Sequence, residues 1–508
     1  MFSKRVPLSL WAPAVLSGLV ALAPLWYLVT RATSRGWTEI ADELFQGRTL
    51  DLVVRSLVLC AAVTAACVVI GTFAAWVIVF SGLPGRTVLT VAFSLPLAIP
   101  SYLSAFAWID RWPGLAGFWG AFLVLTFATF PYVMLPVTAA FSRLDPTHED
   151  VARSLGRSGA GVLFGVVLPQ ARRSIAAGAL LSALYVLSDF GAVATMRHEV
   201  FTWVIYGAYR AGFNPTRAAI LSLVLVVIAL GLTGAESRVR GRGSRASVGR
   251  GGSHGRAGAT RRVRVGAAAG ALAVVVPSIG VPVAGVLDWL GRESVRTVAA
   301  SDVWGAALNS FGIGLVVALV TLLAALPVAL LSVRHPGRFS RTVEASTFVT
   351  HSLPGIVVAI SVVYLGVRAV RPLYQQWPMV VFAHVILFVP VMVATVKASL
   401  EKSGRSVEEM ARVLGAGTVE AFFRVTVPLA APGLLAGAAL TMLAAVKELP
   451  ATLLLRPTGF ETLSTEIWTH SSVSDYASVG PYALVILVLA AVPTAVLGTM
   501  SGMGDNDR

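Results

Sequence analysis

The chain has 508 residues, of which 56% are hydrophobic and only 13% charged, where a soluble domain carries about a quarter charged residues. That balance excludes a soluble globular protein and places most of the chain in lipid. The net charge of +15 does not point to nucleic acid, because most Lys and Arg fall in segments on one side of an alternating topology, as the positive-inside rule requires.

Twelve apolar blocks follow in chain order, at 8–30, 52–80, 86–109, 115–142, 174–196, 216–234, 266–290, 308–333, 343–368, 378–400, 431–456 and 480–500. Each is near or above the roughly 20 residues a helix needs to cross about 30 Å of hydrocarbon. Helices are expected, since lipid offers an open strand edge no partner and the blocks lack the alternation of a membrane barrel. The fold class is therefore all-α, a polytopic membrane protein of about 12 transmembrane helices.

The first block follows Lys4 and Arg5, as a signal peptide would, but its apolar run is longer and ends in Trp26-Tyr27, an interfacial pair. It reads as an uncleaved helix with its start inside. An even number of helices then puts both termini in the cytoplasm, in a multi-pass protein of the cytoplasmic (inner) membrane embedded in the lipid bilayer. Cys60 and Cys67 lie seven apart in the second block, about 10 Å along a helix axis and too far apart for a disulfide. They read as small packing or lipid-facing residues.

Residues 235–265 break the pattern with arginines, from Arg238 to Arg264, among Gly, Ser and Ala. This composition predicts a disordered cytoplasmic linker with a positive-inside anchor. It divides the chain into a first half, 1–234, and a second half, 266–508, each with six expected helices in parallel orientation. The halves match at a nearly constant displacement: Ser94-Leu95-Pro96 recurs as Ser352-Leu353-Pro354, Pro131 as Pro390, and Ser182 as Thr441. Repeats of membrane helices usually frame a transport path.

The best internal match lies in two cytoplasmic loops, 143–173 and 401–430. Asp150-Val151-Ala152-Arg153-Ser154-Leu155-Gly156 faces Glu409-Met410-Ala411-Arg412-Val413-Leu414-Gly415, and Pro169 and Pro428 follow at equal distance. Each loop is expected to form a short amphipathic helix, a glycine turn and a second short helix ended by proline. Asp145-Pro146 is a natural N-cap and first helical residue, and Ser406 and Glu409 have capping-box spacing. Val151 and Leu155, or Met410 and Leu414, are four apart and make one stripe fit for another protein's groove. Gly156 and Gly415 permit a left-handed C-cap. Two equivalent docking helices imply a partner with two equivalent grooves.

The loops resemble the EAA signature of ABC importer permeases, which is Glu-Ala-Ala, three residues, Gly, then a hydrophobic-Pro pair. Asp150, Ala152, Gly156, Leu168 and Pro169 match it in the first half, and Glu409, Ala411, Gly415, Val427 and Pro428 in the second. The departures are Asp150 for Glu, Val151 and Met410 for the first Ala, and Val427 for Leu. The resemblance implies that the loops, with Leu155 and Leu414 in their stripes, couple to two copies of a cytoplasmic ABC ATPase, and that an extracytoplasmic binding protein delivers the substrate. A P-loop needs Gly-Lys-Ser/Thr, yet none of Lys4, Lys397, Lys402 and Lys447 follows a glycine. The chain is thus expected to be no enzyme and to bind no cofactor or metal, with ATP used by partner subunits.

Ionisable residues inside the membrane are functional candidates, because each costs on the order of 3 kcal/mol to insert. Asp189 aligns with Glu448 in the fifth helix of each half, beside Lys447 and Pro450. The paired carboxylates could line a cation path or close a gate, or make a structural polar contact at a helix end. Lys447-Glu448-Leu449-Pro450 through Arg456-Pro457, followed by Phe460-Glu461-Thr462-Leu463, resembles ferric-iron importer permeases, as does the fusion of two halves. That resemblance implies ferric iron, with thiamine and organophosphonate as alternatives. His351 reads as a helix-end residue. A secondary transporter of six-plus-six helices is the rival reading, but it would carry buried ionisable relays that this sequence has in small number. A membrane scaffold would have no reason to pair membrane carboxylates.

Overall fold

The structure, a computed structural model, describes residues 7–212, 214–241, 260–292, 298–350 and 353–502. Among them every regular element is a helix. Eight are long and apolar enough to cross a membrane by length and composition, and a ninth forms if the pair Arg86–Leu97 and Ser101–Arg111, bent by 86°, is one span. The remaining expected blocks are helical too. The 343–368 block holds Arg338–Val349 and the short apolar helix Gly355–Arg368, and the block at 480–500 lies in Tyr476–Gly502. The 174–196 block stops at its carboxylate, with Leu168–Ser188 giving way to Gly191–Thr195, and the 431–456 block, most of which lies in one of the eight spans, breaks at the same place, Val427–Lys447 giving way to Pro450–Leu455.

Two compact units emerge, and each draws on both halves of the sequence. One comprises 1–44, 205–226 and 298–469; the other comprises 45–204, 227–297 and 470–508. In the first, helix Leu8–Ala32 packs along Ala300–Arg334, Arg338–Val349 and Gly355–Arg368. Small residues permit this. Ala14 and Ala21 are fully buried against Ala325, Val328 and Ala329, and a Cβ on Gly18 would collide with Ser346. Where lipid is as apolar as the partner helix, such close approach supplies the packing energy. In the second unit, Val281–Gly291 lies against Ser101–Arg111 and Tyr476–Gly502. Trp289 is fully buried there; its Nε1 donates to Asp110 Oδ2 at 2.7 Å, and Arg292 donates to the same oxygen at 2.6 Å.

Of the Arg-rich stretch expected to be a linker, residues 242–259 lie outside the described residues. Its ends are helical, since Pro215–Gly241 runs into it and Arg261–Val275 begins in it. Cys60 and Cys67 are both buried and so face protein; Cys67 Sγ stands 3.1 Å from Thr129 Oγ1.

Candidate functional site

The first loop helix, Pro146–Ser154, opens as its sequence dictates. Asp145 is the N-cap, and its carboxylate accepts from the Thr147 N–H at 2.9 Å. The Thr147 side chain and then its backbone N–H hold that carboxyl below the usual carboxylate range. The helix closes on Gly156 at φ 81 with a full Schellman pair, Arg157 N–H to Ala152 O at 3.1 Å and Gly156 N–H to Arg153 O at 2.9 Å. The second loop repeats this end: Gly415 has φ 98, and Ala416 N–H reaches Ala411 O and Gly415 N–H reaches Arg412 O, both at 3.1 Å.

The second loop begins differently from expectation. Helix Arg405–Val413 has Gly404 as its N-cap, so the backbone of Ser406 lies inside the first turn and not at the cap position. The second short helices also do not end at proline. Each runs through a π-turn, Leu163–Val167 or Phe422–Thr426, directly into the long helix, where Pro169 and Pro428 take the second position. Proline lacks the N–H of a regular α-turn and crowds the carbonyl four residues back, and the wider turn relieves both demands.

The apolar stripe faces outward on both loops. Leu155 is 77% exposed and Leu414 85%, with Val151, Phe164, Met410, Val413 and Phe423 also exposed. Asp150 and Glu409 are on the surface as well. The acid that turns inward is the preceding one. Glu149 is buried with Ala152, and Glu408 is held by Arg334 at 2.5 Å. Helical spacing carries the signal, since Glu149 and Ala152 are three apart on one face while Val151 and Leu155 make the other.

The second constellation is the break in each fifth helix. Asp189 ends one helix and caps the next: its Oδ1 accepts from Ala192 N–H at 2.9 Å, its Oδ2 from Ser101 Oγ at 2.5 Å, and its carbonyl from Thr202 Oγ1 at 2.6 Å. Glu448 repeats the role. Its carboxylate accepts from the N–H groups of Ala451 at 2.9 Å and Thr452 at 3.2 Å, and Ser464 Oγ reaches its carbonyl at 3.4 Å. Pro450 fits as the first residue of the short helix, where its missing N–H is not needed. Lys447 stands in the last turn of the preceding helix, where the dipole favours a cation.

The next helices, Phe201–Arg210 and Leu463–Ser472, are pinned alike at their first residues, by Phe201 N–H to Ser56 Oγ at 3.2 Å and Leu463 N–H to Ser310 Oγ at 2.8 Å. One element is particular to the second copy. Fully buried His384 places Nε2 3.7 Å from Glu448 Oε2. Ser101, Thr202 and Ser464, Ser56 and Ser310, and His384 were not legible as members of this constellation, because isolated hydroxyls and one His carry no spacing signal.

The family model for the binding-protein-dependent transport system inner membrane component matches this chain twice, over residues 67–235 and 304–501. Each match contains one loop and one broken fifth helix. The chain belongs to this family.

It is therefore an ABC importer permease, a multi-pass inner-membrane transport component with two copies of the family domain in one chain. The Fe(3+)-transport system permease protein FbpB 2 of Haemophilus influenzae is 33% identical to it over 505 residues, covering 97% of this chain and 98% of the relative. The sulfate transport system permease protein CysT of Salmonella typhimurium is 26% identical and covers 44% of this chain and 90% of the relative. The molybdenum transport system permease protein ModB of Mycobacterium bovis is 26% identical, covering 49% and 97%.

In the permease, the segment after Glu448 is held by polar contacts. Arg456 pairs with Glu461 and donates to Thr465 Oγ1 at 3.2 Å, and Asn309 donates to the Glu461 carbonyl at 2.9 Å. Tyr364 packs on Tyr27, ring centroids 4.6 Å apart. His351 and Ser352 lie outside the described residues. No group of three or more metal-ligating His, Cys, Asp or Glu occurs among the described residues.

Proposed function

We propose that this permease imports ferric iron handed over by an extracytoplasmic binding protein, and that two copies of a cytoplasmic ATPase drive it by docking on the loop helices Pro146–Ser154 and Arg405–Val413. Both termini then lie in the cytoplasm. The observation that carries the substrate is the end-to-end alignment with an Fe(3+)-transport permease, which runs through both halves, whereas the sulfate and molybdenum permeases cover less than half of this chain. The docking reading draws its support from the two exposed apolar stripes, which recur at matched positions on identically terminated helices. Asp189 and Glu448, with Lys447 and Pro450, form the pathway or gate at the two helix breaks.

The test is uptake into proteoliposomes holding the permease with its ATPase and binding protein, offered labelled ferric iron, thiamine, an organophosphonate, sulfate or molybdate. ATP-dependent accumulation of iron alone is expected. Accumulation of one of the other solutes and not of iron would overturn the substrate, and uptake independent of ATP would overturn the coupling.

A further inference from the structure

Arg334 is the last residue of helix Ala300–Arg334, and it reaches two groups of the second loop, Glu408 and Phe422. Its Nη2 donates to Glu408 Oε2 at 2.5 Å, in a pair whose side chains are only 24% and 13% exposed. The same carboxylate oxygen accepts from Thr426 Oγ1 at 3.0 Å. The guanidinium also lies over Phe422, 5.2 Å from the ring centroid. Glu408 belongs to the loop helix, while Phe422 and Thr426 begin and end the π-turn that opens onto Val427–Lys447. One planar cation thus ties a membrane-spanning helix, the docking helix and the root of the broken fifth helix. A shielded pair with a second hydrogen bond and ring stacking fixes geometry in a way that an exposed pair does not.

The first half carries a different residue at the matched position. The corner Pro336-Gly337-Arg338 that follows the helix recurs as Pro84-Gly85-Arg86, and the position two residues before the proline, Arg334 in one copy, is Gly82 in the other. The inward acid recurs as Glu149, but the arginine does not.

We propose that Arg334 is a positioning residue that clamps the second loop helix to its membrane helices, so that force on this loop moves Val427–Lys447 with it. The source of the force rests on the ATPase coupling proposed above; the clamp does not.

Amide hydrogen exchange on the full chain in lipid nanodiscs reads the clamp directly. Arg334→Gln should raise exchange across 405–413 by about tenfold or more, as expected for losing one partner of a shielded pair, and leave 146–154 unchanged. Arg334→Lys, which keeps charge but loses the planar fork, should fall between. Arg334→Glu combined with Glu408→Arg should recover most of the protection. Unchanged exchange over 405–413, or an equal rise in both loops, overturns the clamp. In the complex with ATPase and binding protein, Arg334→Gln should keep ATP hydrolysis and lower solute moved per ATP several-fold; an unchanged ratio overturns the positioning role. A wild-type complex that fails to couple ATP to uptake defeats the coupling reading, and the exchange comparison still judges the clamp.

Discussion

Glu448 Oε1 lies 2.6 Å from where a Cβ on Gly355 would stand, so the longer acid of the second half occupies space that a missing side chain leaves open. The first half solves the same problem the other way. There the shorter Asp189 receives a hydrogen bond at 2.5 Å from Ser101, and both Ser101 and Gly355 open their helices directly after a proline. The structural partner of Pro100-Ser101 is therefore Pro354-Gly355, four residues later in the first half than the Ser94-Leu95-Pro96 match in sequence implies.

Gly355→Ala should be destabilising by about 1–3 kcal/mol, the usual range for overpacking, since Glu448 is fixed by backbone N–H groups and cannot simply swing aside. Shortening the acid with Glu448→Asp in the same chain should restore most of the loss. Thermal unfolding of the purified permease in detergent measures both.

Asp189→Ala removes a helix cap and the hydrogen bond from Ser101, and should cost about 1–3 kcal/mol. Asp189→Asn keeps an oxygen for Ala192 N–H and should melt close to wild type. Uptake by the well-folded Asp189→Asn variant, alone and with Glu448→Gln, is then a clean reading of whether transport needs the charges; a loss of uptake without a loss of melting temperature is the outcome expected of a pathway or gate.

Gly156 and Gly415 have no atom within 4 Å of an added Cβ, so substitution there strains the backbone without crowding it. Gly156→Val and Gly415→Val should each cost about 1–2 kcal/mol through the left-handed conformation, and Asn at either position considerably less. ATPase stimulation by the reconstituted permease should fall in the order Gly, Asn, Val.

Leu155→Ser and Leu414→Ser remove side chains that touch little of the permease itself. Stability should stay within about 0.5 kcal/mol of wild type, while the ATPase should co-purify less well with each and least with both. Retention of full ATPase binding by the double variant would remove the stripe from the docking surface.

Because each compact unit draws on both halves of the sequence, neither half is expected to be stable by itself. Expressed separately, with the break placed within 242–259, the halves should be degraded singly and co-purify when produced together, as pulse-chase and affinity capture would show.

Composition and repetition determined the membrane class, the helices, the fusion of two like halves and the paired loops, because these follow from local rules: apolar length, cap residues and the left-handed tolerance of Gly156 and Gly415 are written residue by residue. The second loop helix starts two residues before the expected Ser406, at Gly404. What the sequence could not supply was every relationship between residues distant in the chain. Ser101 with Asp189, Gly355 with Glu448 and Arg334 with Glu408 each join elements separated by a membrane crossing or more, and a hydroxyl, a glycine or an arginine announces no partner on its own. Tertiary packing alone decided that helix Leu8–Ala32 lies against the second half, because burial is a property of the assembled helices.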